Sequence, residues 1–172
     1  MLDKEKSLEM LNGFSAHYNY DASYMKEMLH EAPAGFETFE AFLPMARFSK
    51  SAPLDVLFVA KIIVTKNEDC GSCLQLTIDM AVEAGVDKTV IEDVVFKEGK
   101  SLPSNLKLVY DFALAITQNR VVSDELYAQI NEQYSKETMI ELALAIASAK
   151  VFPTIKRTLN DAKSCSMITL KV

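Results

Sequence analysis

Pro53-Leu54-Asp55-Val56-Leu57-Phe58-Val59-Ala60-Lys61-Ile62-Ile63-Val64-Thr65-Lys66 decides the fold. Its β-branched residues invite a strand. Strands usually run about 5–6 residues, and this segment is more than twice as long. Length therefore makes it a helix over 54–66, with Pro53 at its start. It is apolar on nearly every side, so it must be buried on most of them.

The same period extends outward in both directions. Downstream, Asn67-Glu68-Asp69-Cys70-Gly71-Ser72-Cys73 is a short loop running into a helix that ends at Ala84, with Gly85 just beyond it. Asp87 caps a short helix through Val95, and Gly99 stops it. Leu102-Pro103-Ser104 opens a helix through Gln118, and Ser123-Asp124-Glu125 another through Tyr134. Ser135-Lys136-Glu137 begins the last and longest, with Pro153 inside or breaking it. Upstream, Leu8, Leu11 and Phe14 mark a first helix, and Asp21 N-caps a second that carries Tyr24, Met25, Met28 and Leu29. Pro33 and Gly35 punctuate before Phe36, Phe39, Phe42, Leu43 and Met45 mark a third, ending near Ser49. The pattern predicts an all-α, single-domain helical bundle over residues 1–172.

Composition agrees. Five glycines and five prolines in 172 residues are too few for a turn-rich β fold. The net charge is −6, and Lys156-Arg157 is the longest basic run, so no nucleic-acid partner is expected. The uninterrupted apolar stretches are short for a bilayer, and the charged opening Asp3-Lys4-Glu5-Lys6 does not read as a secretory leader. A cytoplasmic protein without a membrane partner is expected. In that reducing compartment, three cysteines read as buried, catalytic or metal-bound thiols.

Cys70 and Cys73 carry the chemistry. Residues i and i+3 face the same way in a first helical turn, so their sulfurs can reach bonding distance. The unpaired N–H groups and positive dipole end of a helix N-terminus stabilise a thiolate, lowering a thiol pKa that is ordinarily about 8.5. Such a pair can cycle between dithiol and disulfide. A zinc site would have to recruit Cys165 and the distant His17 and His30, which read more simply as surface or core histidines. Two small buried hydrophobes at a helix start are the plain structural alternative. Glu68 and Asp69 cap the helix or accept protons, although their charge opposes thiolate formation. No metal or cofactor is called for.

A long apolar helix, then Asn67-x-x-Cys70-x-x-Cys73, then an Ala-containing helix closed by Gly85, resembles the carboxymuconolactone decarboxylase family, in its alkylhydroperoxidase D-like branch. Leu108-Val109-Tyr110-Asp111-Phe112-Ala113, Val122-Ser123-Asp124-Glu125-Leu126-Tyr127 and Glu141-Leu142-Ala143-Leu144-Ala145-Ile146 follow that family's order of helices and caps. The resemblance covers residues 36–160, leaving 1–35 as an N-terminal helical extension.

It implies a helical subunit assembled as a homotrimer or homohexamer, reducing a small hydroperoxide at the cysteine pair. An external dithiol would restore the pair. It also implies a proton relay through a glutamate on the preceding helix and a histidine four residues after the second cysteine. Here the histidine position is Thr77, and the glutamate position falls on Phe58 or Ala60. Glu68, Asp69 and Thr77 are the relay candidates that remain. By matching positions Cys73 is the nucleophile and Cys70 the resolving partner. Thioredoxin-like logic reverses them, expecting Cys70 to be the more exposed sulfur. A decarboxylase of the same fold and a non-enzymatic, redox-sensing oligomer are the alternative functions. Oligomerisation is also expected from the apolar circumference of the fourth and last helices. Cys165, in a polar tail, is expected to take no part.

Overall fold

The computed structural model describes residues 2–161 and 168–170. Among the described residues there are nine helices and no strand: α1 (Lys4–Tyr18), α2 (Ser23–Glu31), α3 (Pro33–Ala46), α4 (Leu54–Asn67), α5 (Gly71–Glu83), α6 (Lys88–Phe96), α7 (Ser104–Thr117), α8 (Asp124–Gln133) and α9 (Lys136–Thr158). The all-α expectation holds.

The apolar run is the axis of the molecule. α4 packs against α5, α6, α7 and α9, and Val56, Val59, Ala60, Ile62, Ile63 and Val64 are all at most 2% exposed. Burying each of the larger of these side chains contributes about 1.5–3 kcal/mol. The all-round apolarity of α4 is satisfied within the subunit, so it gives no reason of its own for oligomers.

Four of the nine described helices start on a capping side chain. Side chains of Asp3, Asp87, Ser123 and Ser135 accept from backbone N–H groups at the starts of α1, α6, α8 and α9. Gly85 (φ +81°) follows α5. Three details differ from the expectation. Pro33 is the first residue of α3 and Gly35 lies inside it, because proline is well suited to a first turn and a lone glycine does not stop a helix. That helix ends at Ala46, three residues short of Ser49. Ala22, not Asp21, is the N-cap of α2, although the Asp21 carboxylate accepts from Ser23 N at 3.0 Å.

α9 continues through Pro153, which removes one backbone donor without ending the helix. By length and composition α9 could cross a membrane, a point that the uninterrupted apolar runs did not reveal. In this fold it packs on α3 and α4. It also carries the buried Glu141, which accepts from the backbone N–H groups of Lys50, Ser51 and Ala52 at 3.0, 2.7 and 3.1 Å. Those bonds hold the Glu141 carboxyl below the usual carboxylate range. They also tie the loop before α4 to α9.

A second, smaller core joins α1, α2 and α3, with Leu11, Tyr24, Met25, Phe36 and Phe39 buried in it. Phe152 of α9 meets Phe39 edge-on at 6.0 Å and ties α9 to this second core. Between the two cores lies the cavity described next.

Candidate functional site

α4 stops where its last turn meets a left-handed residue. Glu68 N bonds to Val64 O at 2.9 Å, and Asp69 takes φ +49°. The chain thereby turns sharply into α5, and Cys70 becomes its N-cap with no side chain capping the first turn. Arg157 of α9 locks this turn from outside. Its guanidinium donates to Glu68 O at 2.7 Å and pairs with the Glu68 carboxylate.

Cys70 and Cys73 are joined by a disulfide, with Cα atoms 5.2 Å apart. Both are buried, Cys70 to 2% exposure and Cys73 to 4%. The expectation that Cys70 is the more exposed sulfur is not met: a residue at a helix start is surface-facing only if nothing packs over that start, and here α9 does. Cys73, by contrast, forms part of the wall of a cavity of about 540 Å³.

Behind Cys70 lies a buried cation. Lys156, on α9, is 2% exposed and donates to Ser72 Oγ at 3.1 Å. Ser72 Oγ is in turn 3.7 Å from Cys70 Sγ. The rings of Tyr20 and Tyr24 hold the ammonium from below, with centroids 5.0 and 5.3 Å away, and Asp161 Oδ2 lies 3.9 Å from it. Burial pushes the Tyr20 phenol up to about 12, and that of Tyr24 further, so both phenols stay neutral and present their π faces to the ammonium. A positive charge connected to Cys70 through one hydroxyl favours the thiolate of Cys70 whenever the disulfide opens.

The relay candidates part company. Thr77 lines the cavity with Cys73, one turn along α5, and its hydroxyl donates a hydrogen bond to Cys73 O at 2.8 Å. Its hydroxyl can accept a bond from a substrate or water but cannot act as a base near neutral pH. Glu68 is engaged by Arg157, and Asp69 is exposed. Phe58 also lines the cavity. His17 pairs with Glu83 at 3.1 Å, and His30 with Glu31 at 2.7 Å, both on the surface. Among the described residues no group of three or more His, Cys, Asp or Glu is placed to hold a metal ion. Cys165 lies outside the described residues.

Sequence reasoning missed Lys156 and Ser72. The signal for Lys156 was present: Leu142, Ala145, Ile146, Ala149 and Pro153 form one buried stripe of α9, and Lys156 continues it at helical spacing. A lysine on a buried stripe is uncommon enough to ask what it serves.

Fold and site together define the class: an all-helical chain with a CxxC disulfide at a helix start, one of its cysteines lining an apolar cavity. Compared with models of known families, with curated proteins and with solved structures, the chain matches none.

Proposed function

We propose that the chain is a dithiol–disulfide oxidoreductase that reduces hydroperoxides through Cys73 and Cys70, in the manner of the alkylhydroperoxidase D-like proteins it resembles. The observation that carries this reading is a CxxC pair at bonding distance with one of its residues, Cys73, in the wall of a cavity large enough for an organic molecule.

The Cys73 thiolate attacks the distal oxygen of the hydroperoxide, and the O–O bond breaks. Cys73 becomes a sulfenic acid, and the alkoxide leaves and takes a proton to give the alcohol. The Cys70 thiol attacks the sulfenic sulfur, forming the disulfide and releasing water. An external dithiol then opens the disulfide by exchange and is itself oxidised to a disulfide. Lys156, through Ser72, stabilises the Cys70 sulfur as the thiolate that resolves the sulfenate or leaves in the exchange. Absence of an imidazole at Thr77 makes the peroxide step slow, since general-base help is worth about 10²–10⁴-fold.

A homotrimeric or homohexameric assembly and a cytoplasmic setting belong to the same proposal, and rest on the resemblance and composition. The test of function is steady-state turnover. With dithiothreitol as electron donor, the chain is expected to consume cumene hydroperoxide faster than dithiothreitol alone. Consumption at the rate of the donor alone contradicts the proposal.

A further inference from the structure

The cavity is apolar in a particular way. Leu11 and Phe14 of α1, Met25 of α2, Leu43 of α3, Leu57 of α4 and Phe152 of α9 are among its apolar wall residues. Among the hydroxyls of the wall, those of Thr65, Thr77 and Ser148 donate to carbonyls of their own helices, at 3.0, 2.8 and 3.2 Å, and those of Ser49, Tyr20 and Tyr24 also line it. Glu83, at the exposed rim, is occupied by Tyr18 and His17.

Two cations remain. Lys61 of α4 lines the cavity, and burial pushes its ammonium pKa below the ordinary lysine value. One of its N–H groups donates to Ala46 O at 3.0 Å, and the ammonium sits 5.3 Å from the Phe58 ring centroid. Arg47, the residue after Ala46, stands at the exposed rim of the same cavity. Neither is ion-paired with any described residue. A desolvated ammonium without a counter-ion is costly, and an anionic ligand group offsets that cost directly.

From this arrangement we infer that the cavity binds amphiphilic carboxylates of the fatty-acid class, the carboxylate at Lys61 and Arg47 and the apolar chain along the wall that contains Cys73. Resting on the proposed redox function, this makes hydroperoxides of such acids the substrate class. The binding itself does not depend on that function. A neutral chain of the same length would fill the apolar wall but leave the two cations uncompensated, so charge, not size, is what the site selects.

The test is calorimetric titration of the disulfide form, with no reductant present and hence no turnover. Decanoate is expected to bind saturably and more tightly than decan-1-ol. Lys61→Met is expected to weaken decanoate about tenfold, the scale of a lost charge-assisted hydrogen bond, and to leave decan-1-ol within about twofold. Because Lys61 also bonds Ala46 O, the exposed Arg47→Met provides a variant that does not disturb the fold, with a smaller loss in the same direction. The inference is overturned if decanoate binds no better than decan-1-ol, if both variants bind decanoate as the parent does, or if neither probe binds saturably. Loss of peroxide turnover with decanoate binding intact would count against the redox function alone.

Discussion

Cys73→Ser is expected to abolish hydroperoxide consumption, whereas Cys70→Ser is expected to retain a single turnover and leave a sulfenate on Cys73 that dimedone traps. Position in the fold decides which sulfur does what. Cys73 forms part of the cavity wall, where a hydroperoxide can meet it, and Cys70 lies off that wall beneath α9. The dipole argument alone would choose Cys70, the residue at the very start of α5, because a thiolate is best stabilised there. Access outweighs it, since Cys73 lines the cavity and Cys70 does not. Without its resolving partner, Cys73 sulfenate persists, because condensation to the disulfide needs the Cys70 thiol. A sulfenate found on Cys70 in the Cys73→Ser variant would reverse the two roles.

Lys156→Met is expected to make the Cys70–Cys73 disulfide harder to reduce. The ammonium stabilises the reduced state by favouring the Cys70 thiolate through Ser72, and stabilising a reduced form raises the potential of the couple. If removing the charge raises the thiol pKa by about two units, the couple falls by about 60 mV, near hundredfold in the exchange equilibrium. Methionine has a comparable length and suits the Tyr20 and Tyr24 rings, so the fold is expected to survive. Ser72→Ala keeps the charge and breaks the bridge, so its shift should be in the same direction and smaller. Equilibration against a glutathione buffer, read by thiol alkylation, measures both. Unchanged potentials in both variants would remove Lys156 from the redox chemistry and leave it a packing residue.

How much of this was legible varies with the kind of signal. The helices were readable because periodicity and capping are local. Asp87 before α6, Ser135 before α9 and Gly85 after α5 stand where their chemistry puts them. Asp21 and Gly35 show the limit, since a cap or breaker can be displaced by one residue or tolerated when neighbouring packing favours the helix. The CxxC pair was readable for the same local reason. Cys73 on a cavity wall was not, because the cavity exists only where α1, α2, α3, α4, α5 and α9 converge, and that convergence depends on long-range contacts. Lys156 lies 84 residues from Ser72 in sequence, and only its place on the buried stripe of α9 hinted at a role. Lys61 was hidden inside the apolar run that decided the fold, where its charge was easily taken as incidental.

In the proposed function Cys70 and Cys73 form one redox couple that a hydroperoxide oxidises. Counting free thiols tests it most directly. The chain has three cysteines. Fully reduced protein, freed of reductant and given one equivalent of cumene hydroperoxide, is expected to lose two thiols, keep the third at Cys165, and recover both on treatment with dithiothreitol. Three thiols persisting beside unconsumed hydroperoxide would contradict the account.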